Sequence, residues 1–433
     1  MTQKGKGETM VLALILFIIM YVFFLMPKTQ EYRWLTALIF AAIFVLLGIM
    51  PLNKVMSSVN WNIILMLAGT MIVVELFIES KMPMRMAERL LHKLPSVQWA
   101  IVALAMFAGV VSAFVDNVAT VLMVAPIGLA VAKKLDINPV PIIISIAVSS
   151  NLQGAATLVG DTTSILLGGY ANMSFNDFFW FQGRPGICLS VELGALMTVP
   201  VLLWLFRKNK GAIDVEVETK VTDYVPSFLM IGVVAGLIIA SQFENKPELT
   251  NGYICMAFAA AGMIYEWIHG ENFDYKSVLA QVDVKTLLLL IGLFIVIGGI
   301  TEAGVIDAIA KVFVKIGGRS VFGMYTLIVF ASVVISAFVD NIPYVATMLP
   351  VVQGIAASMG IAPYVLYYGL LIGATLGGNL TPVGASANIA GIGILTKEGY
   401  HVSTSDFVKI GVPFTLIAVI TGYLANWLIW GVL

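Results

Sequence analysis

Charge is the scarcest ingredient of this chain. Only 11% of its 433 residues are Asp, Glu, Lys or Arg, against roughly 25% in an ordinary soluble domain. The formal net charge of −1 excludes the basic field that a nucleic-acid partner would require. There are only two cysteines, Cys188 and Cys255, both inside apolar runs. That placement excludes a disulfide scaffold and argues for inert, buried thiols. The three histidines, His92, His269 and His401, fall in loop-like segments too scattered for a metal cluster. No nucleotide-binding loop occurs, so any ATP dependence requires a separate ATPase subunit.

Apolar residues make up 60% of the chain. They fall in runs near 20 residues, the length needed to cross about 30 Å of hydrocarbon. The fold class expected is an all-α polytopic membrane protein, surrounded by lipid in a bacterial inner membrane. The first run, Met10 to Met26, follows Lys4 and Lys6 and imitates a signal peptide. It lacks a small-residue cleavage site and ends in Pro27-Lys28, so it reads as an uncleaved span.

Within this apolar background one polar hexapeptide occurs twice. Ser112-Ala113-Phe114-Val115-Asp116-Asn117 returns as Ser336-Ala337-Phe338-Val339-Asp340-Asn341, an offset of 340 − 116 = 224 residues. The same offset carries Pro126 onto Pro350, Pro139 onto Pro363, Gly154 onto Gly378, Thr157 onto Thr381 and Gly160 onto Gly384. A duplicated unit whose copies each carry a polar break points to a transporter whose site lies where the copies meet.

Spans are expected near 9–26, 34–51 and 61–79, followed by an amphipathic segment at 82–94. Next come 97–133, interrupted at Asp116-Asn117, and 138–171, interrupted at Gly154 and Gly160. A polar, aromatic stretch at 174–183 reads as interfacial, and 186–206 as a clean span. The second half repeats the order with 226–241, 252–268, 285–301, an amphipathic 303–316, 320–358, 362–395 and 410–431. Each arm of 97–133 has about 15 residues, or about 22 Å of helix. That is short for a crossing, so the segment is predicted to be a re-entrant hairpin with its tip at Asp116-Asn117.

The organisation expected is therefore two inverted repeats, each with a re-entrant hairpin and a broken transmembrane helix. The first is 1–206, with hairpin 97–133 and broken helix 138–171. A cytoplasmic linker follows at 207–225, then the second repeat at 226–433, with hairpin 320–358 and broken helix 362–395. If the first hairpin enters from the cytoplasm, sixteen of the 24 Lys and Arg fall on the cytoplasmic side, as orientation rules favour. Lys93 is among the sixteen; Arg319 falls among the eight outside. Lys4 and Lys6 also count against this orientation.

The breaks carry the chemistry. At a hairpin tip one helix ends in unpaired carbonyls and the next begins in unpaired amides, so cation and anion can both be held there. Asp116, Asn117, Asp340 and Asn341 sit at that junction and are the expected ion-coupling residues. An aspartate can cap a broken helix without further purpose, but an ionisable group inside the membrane is costly and normally functional. Around the second pair of breaks, Asn151, Gln153, Thr157, Asp161 and Thr162 in the first copy are candidate substrate ligands. Asn379, Thr381, Ser386 and Asn388 are their candidates in the second. Gly154, Gly160, Gly378, Pro382 and Gly384 are expected to free backbone groups for the site. Asp161 aligns with Ala385, Asn379 with Ala155 and Asn388 with Ser164, so the scaffold is symmetric while its ligand set is not. Glu79 and Glu302, at equivalent span ends, read as interfacial charges outside the site. No Lys or Arg lies within a break, so no fixed cationic clamp is expected.

At these residues the sequence resembles the ion transporter superfamily. It is similar to the branch holding arsenite permeases, the melanosomal P protein and NhaD-type sodium/proton antiporters, with divalent-anion/sodium symporters more distant. The resemblance covers essentially the whole chain. Where the symporters read Ser-Asn-Thr at both tips, this sequence has Asp116-Asn117-Val118 and Asp340-Asn341-Ile342. Val159-Gly160-Asp161-Thr162-Thr163 is similar to the Gly-Asp-Pro-Pro segment of the P-protein branch, without its prolines. The resemblance implies two cation sites flanking a substrate, and a homodimer formed through spans outside the hairpins. Aspartate in place of serine points toward proton coupling and away from a dicarboxylate.

The function expected is secondary active transport of a small ion or oxyacid driven by an H⁺ or Na⁺ gradient, arsenite/antimonite efflux or small-anion permeation. Na⁺/H⁺ antiport is the alternative, and no cofactor beyond the coupling ion is expected. An intramembrane aspartyl protease is a remote alternative, because it needs one complementary aspartate pair rather than a duplicated tip. The protein is therefore not expected to be an enzyme.

Overall fold

The polar breaks reappear as helix ends. The computed structural model describes residues 3–26, 28–92, 94–211, 219–243, 245–269, 275–318 and 320–432. The middle of the expected linker, 212–218, lies outside them, as do Lys93 and Arg319 of the charge count. The first repeat comprises α1 (Gln3–Leu25), α2 (Arg33–Leu46), the single turn α3 (Val55–Ser58), α4 (Trp61–Glu79) and the amphipathic α5 (Met82–Leu91). The hairpin α6 (Val97–Ser112) and α7 (Asn117–Lys134) follows, then the broken helix α8 (Val140–Gln153) and α9 (Thr162–Tyr170), and α10 (Ile187–Leu205). Between α9 and α10 the stretch 174–183 forms a short turn and a two-residue hairpin, Trp180–Phe181 against Arg184–Pro185.

The second repeat runs α11 (Val225–Ala240), α12 (Thr250–His269), a short α13 (Tyr275–Gln281), α14 (Val284–Glu302) and amphipathic α15 (Val305–Gly317). Hairpin α16 (Val321–Ser336) and α17 (Asn341–Met359), broken helix α18 (Tyr364–Gly377) and α19 (Ser386–Lys397), and α20 (Thr404–Trp427) complete it. Helices α2 and α20 differ in extent from the sequence reading, and α1 begins earlier, at Gln3. Helix α2 ends at Leu46 because Gly48 adopts a positive φ of 68°, a conformation that stops a helix. Helix α20 starts at Thr404, where Ser403 and Asp406 cap each other's backbone amides, a strong start signal. Helix α13 was not anticipated from the sequence.

The repeats are antiparallel. Lys54, on the turn that leads through α3 into α4, lies 2.7 Å from Glu302 at the end of α14, so equivalent helices meet start to finish. The pairing is reciprocal elsewhere. Lys133 at the end of α7 bonds Glu398 beyond α19 at 2.6 Å, and Tyr170 at the end of α9 bonds Gln353 of α17 at 2.6 Å. Asn60, which caps α4, donates to the Gly169 carbonyl at 3.3 Å. The broken helix therefore begins on the face holding the base of its own hairpin and finishes on the opposite face.

Burial follows from this arrangement. In α8 every residue except Pro141 is buried, and in α18 every residue from Val365 onward. Large exposed apolar side chains such as Ile39, Leu196, Phe228 and Ile231 lie on α2, α10 and α11, where lipid tails satisfy them. Arg89 and Val312 are both exposed, on α5 and α15. A membrane-impermeant thiol reagent is expected to label Arg89→Cys and Val312→Cys from opposite faces in oriented vesicles. Labelling of both from one face would overturn the inversion.

Candidate functional site

Both tip aspartates are helix N-caps. Asp116 Oδ1 accepts from the amides of Val118 (3.0 Å) and Ala119 (3.3 Å). Asp340 Oδ1 accepts from Ile342 N at 3.1 Å. Such a cap satisfies amides at the start of a helix that otherwise lack a partner. It occupies one carboxylate oxygen and leaves the other for different work.

The tips are locked to the breaks by backbone contacts that both copies share. Thr157 Oγ1 donates to the Ala113 carbonyl and Thr381 Oγ1 to that of Ala337. A Cβ at Gly160 would stand 2.4 Å from the Gly154 carbonyl and 2.8 Å from that of Ala113. At Gly384 it would stand 2.5 Å from the Gly378 carbonyl and 2.9 Å from that of Ala337. Only glycine lets the break approach the tip so closely.

A cavity of about 350 Å³ opens beside the tips. Of the sequence-derived candidates, Asp116, Asn117, Asp161, Thr162, Asn341 and Ser386 line it. Asp161 caps α9, its Oδ1 accepting from Ser164 N and Thr163 Oγ1 at 2.7 Å each. Its Oδ2 is buried without a partner, although the residue is only 2% exposed. A buried carboxylate oxygen left unpaired is expensive, and the residue that carries it lines the cavity.

The other candidates do not line this cavity. Asn117 Nδ2 donates to Asn151 Oδ1 at 2.9 Å, and Asn151 Nδ2 donates to Asn379 Oδ1 at 3.0 Å and the Thr375 carbonyl at 2.7 Å. Asn379 Nδ2 closes the series on the Val148 carbonyl at 2.9 Å. This is a fully buried polar spine that stitches one repeat to the other. Gln153 packs over Gly109, and Asn388 bonds the carbonyls of Gly378 (3.0 Å) and Thr381 (3.1 Å). Thr157 and Thr381 are committed to the tip carbonyls. These side chains brace the breaks, while Gln153 Oε1 and Asn388 Oδ1 keep no hydrogen-bond partner among the described residues. Pro382 lies within the second break and does not line the cavity either.

Three functional candidates went unnoticed in the sequence. Glu75 of α4 and Asp283, the cap of α14, also line the cavity. With Asp116 and Asp161 they make four carboxylates, and no Lys, Arg or His is among the lining residues. Glu75 carried a usable signal, being an acid inside an apolar span. Asp283 carried none, because a cap at a span end is ordinary. The third is Arg33, whose Nη1 stands 3.4 Å from Asp340 Oδ2. The expectation of no cation at the breaks is thereby corrected: the guanidinium arrives from α2, far away in sequence.

A second cavity, about 1130 Å³, lies at the opposite end of α4, bordered by Asn60, Lys54, Glu302, Tyr170 and Pro350. Neighbouring residues divide the two spaces. Met66, Leu158 and Leu166 face the larger, while Leu67, Val159 and Ile165 face the smaller. All six are buried, so an apolar layer separates the tips from the larger cavity.

The family model for CitMHS, described as citrate transporter, matches residues 15–373 and again 277–432. The chain is 33% identical to a 46 kDa membrane protein of Mycobacterium leprae, over 96% of this chain and 98% of that one. It is 30% identical to an uncharacterized transporter of Mycobacterium tuberculosis, with the same coverage. Similarity to the human P protein is 25% identity over 86% of this chain and 54% of that protein. In fold it is similar to the YdaH transporter of Alcanivorax borkumensis, with TM-score 0.60 and 12% identity over 98% of both chains. It also resembles Neisseria gonorrhoeae MtrF, whose structure is described as illuminating antimetabolite efflux pumps, with TM-score 0.56 and 15% identity over 93% and 85%. The duplicated tips, the inverted halves and these relatives agree: the chain is a membrane transporter and belongs to the CitMHS citrate transporter family of the ion transporter superfamily.

Proposed function

We propose that the protein is a secondary active transporter in which an H⁺ or Na⁺ bound near Asp116 and Asp161 drives movement of a small ion or oxyacid. The observation that carries this reading is the shared cavity, where Asp161 Oδ2 is buried without a partner. Two cavities on opposite faces, separated by one apolar layer, support alternating access around a site held at helix breaks. The substrate class follows from electrostatics. Two like unit charges about 6 Å apart repel by about 3 kcal/mol at an effective dielectric near 20. Four carboxylates, with no cation among the described lining residues, therefore oppose entry of a free trianion such as the citrate in the family's name. A neutral oxyacid such as arsenous acid, or a cation, meets no such barrier.

The acidic lining also favours a second reading, Na⁺/H⁺ exchange, in which the cation is itself the cargo. Proteoliposomes with Na⁺ and pH gradients imposed separately discriminate between them. Gradient-driven arsenite movement is expected under the first reading, and Na⁺-driven pH change without any added solute under the second. Failure of both gradients to move arsenite, citrate, Na⁺ or H⁺ would overturn the coupling reading.

A further inference from the structure

The two tips are duplicates in sequence but differ in charge balance. Asp340 Oδ2 receives Ser386 Oγ at 2.9 Å and faces Arg33 Nη1 at 3.4 Å, with the two side chains 6% and 14% exposed for Asp340 and Arg33. The guanidinium is held in place, since Arg33 Nε donates to the Phe24 carbonyl at 3.3 Å. Nearby Tyr21 of α1 docks on α17 through the Pro343 carbonyl (2.7 Å) and Thr347 (2.6 Å). Glu31, the acid closest to Arg33 in sequence, is engaged by Lys285 at 3.5 Å and does not compete for Arg33.

Among the described residues no cation is paired with Asp116. Helix α2 packs on α14 with Ala37 against Gly292, and α12 packs on α4 with Cys255 against Gly69. By that correspondence Asn251, which is uncharged, is the counterpart of Arg33 in the other repeat. The cavity that Asp116 lines carries only acidic ionisable groups among the described residues.

We propose that Arg33 is a resident cation for the second tip, so that Asp340 binds no mobile ion and the first tip alone carries the coupling cation. A guanidinium bound to the chain neutralises one of the two duplicated carboxylates permanently, its desolvation and ordering costs being met once, on folding. An ion exchanged with solution would have to be desolvated at every cycle. The duplicated architecture then transports with one exchangeable cation site, and the second tip serves as a fixed counterpart.

This inference rests on the cation-coupled reading above, and the test separates the two. Thermal stability of the purified full-length protein is measured against Na⁺ concentration at fixed pH, and against pH in choline salts. A ligand that binds the native state raises stability logarithmically with its concentration, and each independent site adds to the slope. Asp116→Asn is expected to remove the cation-dependent shift, whereas Asp340→Asn retains it. Arg33→Gln exposes the Asp340 carboxylate and is expected to raise the slope to about twice that of the wild type; Arg33→Lys keeps the wild-type slope. Loss of the shift in Asp340→Asn, or an unchanged slope in Arg33→Gln, would overturn the resident-cation assignment. If Arg33→Gln fails to fold, the Asp116→Asn and Asp340→Asn pair decides alone. A wild-type protein indifferent to both Na⁺ and pH would instead defeat the cation-coupled reading itself.

Discussion

Asparagine at position 116 is expected to abolish gradient-driven transport while leaving a folded, monodisperse protein. The separation follows from the two jobs of this carboxylate. Oδ1 caps α7 through Val118 and Ala119, and asparagine caps a helix as well as aspartate does. The structural role survives the substitution within a few tenths of a kcal/mol, an effect too small to unfold the chain. The charge does not survive. Loss of even a supporting group around a bound ion costs about 10- to 100-fold in affinity, so losing the ligand itself is expected to cut transport by at least about 100-fold. Uptake in proteoliposomes, read beside size-exclusion profiles and melting curves, checks both halves. Unchanged gradient dependence in Asp116→Asn would remove it from the coupling role.

Alanine at position 151 is expected to do the reverse. Asn151 makes three side-chain hydrogen bonds, to Asn117, Asn379 and the Thr375 carbonyl, and it does not line the cavity. Hydrogen bonds between helices inside membranes contribute about 0.6 kcal/mol each on average, so three together are worth about 2 kcal/mol. The packing void left by the smaller side chain adds to this. The expected outcome is lower stability with unchanged apparent affinity for the solute in the molecules that remain folded. Melting curves in detergent, paired with concentration-dependent uptake, test it. Wild-type stability with weakened solute affinity would return Asn151 to the set of substrate ligands.

These two predictions differ because sequence and structure speak to different questions at a helix break. Asp116 and Asn151 look alike in the sequence: both are polar, both interrupt apolar runs, and both were candidates for the site. The structure puts the first at a cavity wall and turns the second into the partner repeat. Asn379 and Asn388 show the same ambiguity. Neither has an amide counterpart in the first copy, where Ala155 and Ser164 stand. In the structure Asn379 makes the spine between the halves, with Asn151 reaching across to it where simple symmetry would have placed a threonine and an alanine, while Asn388 bonds carbonyls of its own break.

What the sequence determined by itself was local and periodic. Long apolar runs dictated spans, because backbone in hydrocarbon must satisfy its own hydrogen bonds. The repeated Ser-Ala-Phe-Val-Asp-Asn unit located both hairpin tips, and the recurrent glycines located the breaks that pack against them. Each of those signals is a departure from apolar helix visible within a few residues. What only the tertiary structure decided was which polar group meets which. Arg33 reaches Asp340, and Glu75 and Asp283 reach the cavity of Asp116, because whole helices from distant parts of the chain dock at set rotations. Helix rotation and docking depend on side-chain packing summed over many contacts, such as Ala37 on Gly292 and Cys255 on Gly69. No single stretch of sequence encodes that sum, so the charge balance that distinguishes the two tips emerges only on folding.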